Sequence, residues 1–479
     1  MPTCRTLRVP SCFLGICTGF CLFLTPSSAA GGDQRLVQAA RNQDPVAVRA
    51  LLGERLNVNS PAPDGATALH WAAYRDNLNI AGLLIDGGAQ VDAANDYGVT
   101  PLSMASTNGS AAMVTKLIKA GASPNLALPS GETPLMSAAR SGIADAVAAL
   151  LAGGADVETI ENVKGQTALM WAASEGHRDA AHVLIEGHAN VRAASASGFT
   201  PLLFAVRHGD RDLVELLIES GADLTNTSAD GLGVLHLAVV RGHTALAQFL
   251  LDKGVDPNAS EAGYAALHWA AGRWETNLTQ YDLVEAWSVY QGLPTGKMDL
   301  LKSLIEHGAD VNARITKGPT TFGVGLTGHS FKVKGATPFL LAARSADVDT
   351  MRLLLEAGAD PLVKTDEGIT PFLGAVGAGR ADESHVTESE AIEAARLCLS
   401  LGDDVGIIDA AGENAVHHAT YHDWAEMVQF LADNGADVNA KNLKGETPRR
   451  IAEGVIRIAM FQLRPAARDV LRAMDARVE

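Results

Sequence analysis

The chain reads as an all-α solenoid of stacked helix-turn-helix units. Three observations predict this. A glycine recurs near every thirty-third residue, the hexapeptide ALHWAA occurs identically at 68–73 and 266–271, and aromatics make up only 5% of 479 residues. A fixed period of this length is one supersecondary unit repeated, each copy covering its apolar face with its neighbours. A sequence poor in aromatics and rich in alanine and leucine favours helices with many small contacts over one large core.

The turn glycines are Gly65, Gly98, Gly131, Gly165, Gly198, Gly231, Gly263, Gly335, Gly368, Gly412 and Gly445. Their steps are 33, 33, 34, 33, 33, 32, 72, 33, 44 and 33, and the first six sum to the 198 residues between the two hexapeptides. Each glycine sets a turn where positive φ costs little. Threonine and proline often follow, as at Thr100-Pro101, Thr133-Pro134, Thr200-Pro201, Thr337-Pro338, Thr370-Pro371 and Thr447-Pro448. Threonine caps a helix, and proline fits its first position because the missing N–H needs no partner there. The first helix carries a leucine and two small residues on one face, Leu69, Ala72 and Ala73 in the first full unit. A polar turn leads to a second helix with apolar residues at i, i+3 and i+4, such as Ile80, Leu83 and Leu84. Gly88, Gly121, Gly154, Gly221, Gly308, Gly358 and Gly435 mark left-handed helix stops. An extended GADVNA-type segment (308–313, 435–440) completes the unit. Gly233-Val234, Ala265-Ala266 and Asn414-Ala415 replace Thr-Pro, so those helix starts are expected to be weaker by about 1 kcal/mol each.

The segments GVTPLSMASTNGSAAMVTKLIKAGASPN (98–125) and GETPLMSAARSGIADAVAALLAGGADVE (131–158) resemble the ankyrin repeat nearly position by position. The resemblance covers about residues 34–479. It implies a curved stack with short β-hairpin fingers, a protein partner on the concave face and finger tips, and no catalytic machinery. The organisation expected is a signal peptide at 1–30, a capping repeat at 31–64 and six regular repeats at 65–262. A repeat with a long insertion follows at 263–334, then three repeats at 335–444 and a closing cap at 445–479. The long signal-bearing form most resembles exported bacterial ankyrin proteins.

The step of 72 holds 22 extra residues between the helices and 17 more in the finger, and the step of 44 holds 11 around 377–390. Insertions in such arrays become loops, often on a working face. The first contains Tyr281, Trp287 and Tyr290. These aromatics read first as a short extra helix packed on the array, and alternatively as a contact patch for a partner. The second insertion, polar and acidic, reads as a solvated loop.

Residues 1–30 differ from the rest. Arg5 and Arg8 precede the uncharged run SCFLGICTGFCLFL at 11–24, which is followed by TPSSAA. This is the plan of a secretory signal, with Ser28 and Ala30 suiting a cut after Ala30. A membrane anchor is the rival, but a spanning helix needs about 20 apolar residues. A lipoprotein site at Cys17 is opposed by the bulky Ile16. Four of the five cysteines lie in this segment, leaving Cys398 to read as a buried small hydrophobe. Removal of the segment, with its two arginines and no acid, takes the net charge from −17 to −19. An acidic chain is a poor ligand for phosphate backbones, so nucleic acid is not an expected partner. The expected protein is exported, periplasmic or extracellular, monomeric, and without stable membrane insertion after cleavage.

GVGLTG at 323–328 matches a dinucleotide-binding glycine pattern without the strand and helix that would give it meaning. In HHATYH (417–422), His418 and His422 share a helix face at i, i+4, yet no H-E-x-x-H frame exists. His417 takes the place of His70, His236 and His268, which the resemblance makes structural. No cofactor, metal ligand or catalytic residue is therefore assigned. The candidate partner-contact residues are Trp71, Trp171 and Trp269, equivalent in units three apart, with Asp96, Tyr97, Lys164 and Asp230 at finger tips and Tyr281, Trp287 and Tyr290 in the insertion. The rival readings are a secreted effector directed at another cell, an enzyme or metal-binding protein using the 263–334 insertion, and a purely structural or protective role toward another exported protein.

Overall fold

A computed structural model describes residues 33–272, 296–317, 334–378, 386–454 and 464–475. Among these residues the chain forms helix pairs in the expected order, from Arg35–Arg41 with Pro45–Gly53 to Pro448–Ala452 with Pro465–Asp475. First helices such as Ala68–Tyr74, Pro101–Thr107 and Pro134–Ser141 pack in one row, and second helices such as Leu78–Asp86, Ala111–Lys119 and Ala144–Ala152 in another. Along most of the array the first row is the more closely packed. The small pairs explain this: Ala72-Ala73, Ala138-Ala139, Ala172-Ala173, Ala270-Ala271 and Ala342-Ala343 are all fully buried and hold neighbouring backbones close. The core runs continuously along the stack and is not concentrated at one centre. No described helix is long and apolar enough to cross a membrane.

The threonines cap as expected. The hydroxyls of Thr100, Thr133, Thr200, Thr337, Thr370 and Thr447 each accept the N–H three residues on. One expectation is corrected. Asn414 is no weak start: its side-chain oxygen accepts the His417 N–H at 3.2 Å, because a carboxamide caps as well as a hydroxyl. Gly233 and Ala265 do lack a side-chain cap. A second correction concerns the 11-residue insertion. Its last residues, Thr387 to Glu390, form a capping box that opens the 13-residue helix Glu388–Ser400. Glu388 then accepts the Met427 N–H at 2.8 Å and so caps the next second helix.

The fingers close as tight hairpin turns. In the finger before Thr100, Asn95 N–H donates to the Val99 carbonyl at 3.0 Å and Gly98 N–H to the Asn95 carbonyl at 2.9 Å. The pairing extends no further, and Ile408–Asn414 is the one isolated bridge among the described residues. Gly98 has φ +77°, and a Cβ there would meet Pro129 Cδ at 2.8 Å, so both conformation and space require glycine. Adjacent fingers are joined by single backbone bonds. Asp96 N–H donates to the Asp64 carbonyl (3.0 Å), Ala196 to Lys164 (2.8 Å), Ala229 to Ser197 (2.9 Å) and Asp366 to Lys334 (3.0 Å). At the matching place after Tyr97 stands Pro129, which has no N–H to give. In the long finger, Ile315 N–H meets the Ala336 carbonyl at 3.0 Å and Gly335 N–H the Ile315 carbonyl at 2.7 Å. This is the same closure as in the regular fingers.

The repeat histidines are bridges. His70 Nδ1 accepts the Thr67 N–H at 3.0 Å, and its Nε2 donates to the Val99 carbonyl of the next finger at 2.9 Å. His268 does the same with Ala265 N–H (3.1 Å) and the Ala313 carbonyl (3.0 Å). His236 donates to the Tyr264 carbonyl at 2.7 Å, but its buried Nδ1 has no hydrogen-bond partner. Gly233 sits where Thr67 sits, and a Cβ there would lie 3.8 Å from that nitrogen with no clash. Gly233→Thr should therefore stabilise the protein by about 1 kcal/mol, since a hydroxyl would both cap the helix and bond His236. A urea midpoint unchanged or lowered in that variant would contradict this reading of the cap.

Candidate partner-binding face

Three consecutive finger tips carry Asp96-Tyr97, Pro129-Ser130 and Val163-Lys164. Tight turns favour Gly, Asn, Asp and Ser. Here Tyr97 is 71% exposed and Val163 75%, with Pro129 also exposed between them. Their backbones are firmly held. Asn95 Oδ1 accepts the N–H groups of Tyr97 (3.0 Å) and Val99 (2.9 Å). The 34-residue step places one more residue in the third finger, and Glu161 organises it. The Glu161 carboxylate accepts the N–H groups of Val163 (2.6 Å), Lys164 (2.7 Å) and Gln166 (3.0 Å). Burial pushes this carboxyl up, but the three backbone donors and Lys164 outweigh it and leave it below its ordinary range. An apolar side chain is thus projected into water by a turn built around a buried anion.

The structure separates the tryptophan row. Trp71 and Trp171 are half-buried on the first-helix row. The Arg41 guanidinium lies 4.9 Å over the Trp71 ring, and Arg140 4.8 Å over Trp171. Tyr74 meets Trp71 edge-on at 5.8 Å. Arg140 also bonds Glu132 at 3.1 Å, which sets its plane. Trp269 differs. It is 1% exposed, with Tyr264 edge-on at 5.8 Å, and it leaves the set of residues a partner can touch. The physical reason lies in its neighbours: nine residues after the preceding turn glycine stands the buried Val240, where Arg140 stands before Trp171.

Asp96, Lys164 and Asp230 are all exposed at tips, so these expectations find their residues on one edge of the array. Pro129 and Val163 were missed by reasoning from the sequence. Their signal was an apolar residue where the turn calls for a polar one. Tyr281, Trp287 and Tyr290 lie outside the described residues, as do GVGLTG and residues 1–30. The ends of that insertion are described. Lys297 Nζ bonds the Ala271 carbonyl at 3.3 Å and Asp347 Oδ2 at 2.6 Å, which ties the first helix, the second helix and the next unit together. Burial raises the Asp347 carboxyl, but the adjacent ammonium more than offsets it and lowers its pKa. His422 donates to the Gly377 carbonyl at 3.0 Å and does not join His418. Cys398 is buried, and burial raises its thiol pKa, so it is the inert hydrophobe expected.

Paired helices in two rows, joined fingers and bridging histidines define a helical repeat protein whose accessible edge is made of turns. A model of three consecutive ankyrin repeats matches residues 36–128, 105–195, 135–228 and 202–285, and a single-repeat model matches 334–366 and 411–443. The chain belongs to the ankyrin repeat family, whose repeats are protein-interaction scaffolds. It is 33% identical over 137 residues to mouse neurogenic locus notch homolog protein 1, across 24% of this chain and 5% of that one. A potassium channel of Arabidopsis thaliana is 44% identical over 52 residues, 11% of this chain and 6% of the channel. An ankyrin repeat domain-containing protein of Monkeypox virus is 34% identical over 62 residues, 13% of this chain and 14% of that protein. The chain therefore spans only a small part of the length of these relatives.

Proposed function

We propose that this protein is a non-enzymatic scaffold that binds another protein outside the cytoplasm, through the finger tips of residues 96–165 and the adjoining Trp71 and Trp171. The observation that carries the reading is the apolar row of Tyr97, Pro129 and Val163 on consecutive tips, exposed yet rigidly held. Interface centres are enriched in aromatic and apolar groups, and a preorganised turn loses little entropy on docking. Asp96, Lys164 and Asp230 supply a charged rim, which sets partner orientation more than affinity. The run at 11–24 followed by TPSSAA supports export.

The test is capture from an extracytoplasmic fraction with chain 31–479, alongside Tyr97→Ser/Val163→Ser and a variant with segment 273–295 shortened. A protein retained by the parent and weakened at least about 30-fold by the tip variant is expected, which is one hot-spot residue's worth of binding energy. Equal retention by the tip variant, with loss in the shortened one, would move the site to the insertion. Export is tested separately by sequencing the N-terminus of the protein isolated from its host. A mature chain beginning at Gly31 is expected, and an intact Met1 chain in the cytosol would overturn that part.

A further inference from the structure

We infer that Asp409, Glu413 and His418 form a binding site for a divalent cation of the zinc class. One ligand atom from each lies within 4.8 Å of the other two. The repeat geometry brings these positions together: Asp409 stands three residues before the turn glycine Gly412, Glu413 one after it, and His418 six after it. The other units place groups such as Asn95, Val99 and Trp71-type aromatics there, and no other unit carries a nitrogen or carboxylate ligand at all three positions. His418 occupies the place of Trp71, Trp171 and Trp269, so an imidazole faces the finger where those three units carry an indole.

Two features separate this group from an ordinary buried ion pair. His418 is 5% exposed, and although its buried Nε2 pairs with Asp409 Oδ2 at 3.3 Å, it makes no well-aligned hydrogen bond. A nitrogen and an oxygen that close, but not aimed along an N–H···O line, are placed like two ligands of one ion. The carboxylates are also oriented from behind, as metal ligands are. Asp409 Oδ1 accepts the Ala411 and Glu413 N–H groups at 2.8 and 2.9 Å, which turns Oδ2 toward His418. Glu413 Oε1 accepts the Tyr421 hydroxyl at 2.7 Å and Asn442 Nδ2 at 3.0 Å. Two carboxylates and one imidazole are a ligand set for zinc, with bonds of about 2.0–2.2 Å and a fourth position left for water or a partner's donor. Asp409 is the most exposed of the three and marks the way in. The pairing of His418 with His422, which the helix spacing alone offers, is not used. The inference replaces the expectation of no metal ligand.

The test is calorimetric titration of Zn²⁺ into chelator-treated protein, with parallel titrations of Asp409→Asn, His418→Ala and His422→Ala. One Zn²⁺ per chain is expected, weakened at least about 100-fold in the first two variants and unchanged in the third. Far-UV circular dichroism and the cobalt(II) d–d spectrum of the parent guard against a folding artefact. Cobalt bound by nitrogen and oxygen ligands supports the site. Uptake that is absent from the parent, or unaltered in a folded Asp409→Asn protein, overturns it.

Discussion

Trp269→Ala should destabilise the protein by about 3–5 kcal/mol, the cost of truncating a fully buried indole. The residue is 1% exposed, among the largest side chains completely enclosed in the array. Its unit is also the one that the 72-residue step stretches. An array is held by nearest-neighbour interfaces, and weakening one unit uncouples the blocks on either side. Urea unfolding followed by circular dichroism should therefore change from one transition to two. Trp71→Ala is the contrast. The same position there is half-buried beneath Arg41, and its loss should cost about 1–2 kcal/mol, mostly packing and the cation–π contact. Equal losses in the two variants would show that the row behaves alike and that the burial difference carries no energy.

Acidification from pH 7 to pH 5 should also destabilise the array strongly. Burial pushes His268 down to about 4, and it lowers His70 and His236 in the same direction. The unfolded chain holds these rings near their ordinary pKa of about 6.5, so between that value and the folded one the unfolded state binds more protons. Stability is thus full above about pH 6.5 and falls as the pH drops toward the folded pKa. For His268 the loss by pH 5 is about 2 kcal/mol, with the other two adding to it. The structural cause is clear at His70 and His268. Each Nδ1 accepts a backbone N–H, and protonation would set a donor against that donor. His268→Gln should remove its share of the slope between pH 7 and pH 5 while lowering stability at pH 7. A slope unchanged by that variant would contradict the assignment.

The fold was legible because its signals are local. Turn glycines, threonine caps, N1 prolines and paired alanines each act within a few residues, and the period repeats them until the pattern is plain. What escaped was set by neighbours in space. Trp71 and Trp269 have the same place in the unit, yet Arg41 covers one and Tyr264 and Val240 enclose the other. Asn414 was ranked by its departure from Thr-Pro, although its carboxamide makes the same bond. Thr387 and Glu390 sit in an acidic stretch whose charge masked a capping box. Val163 required the extra residue of one finger to be read together with the carboxylate that holds it. The group at Asp409, Glu413 and His418 spans a turn and a helix, and only the folded finger brings its members together.

The most direct test of the scaffold claim is amide hydrogen exchange of chain 31–479, alone and in complex with the protein it captures. New protection is expected at residues 95–99, 128–132 and 161–166, with little change in second helices such as Ala144–Ala152. Protection confined to second helices, with the three fingers exchanging as in the free protein, would contradict it.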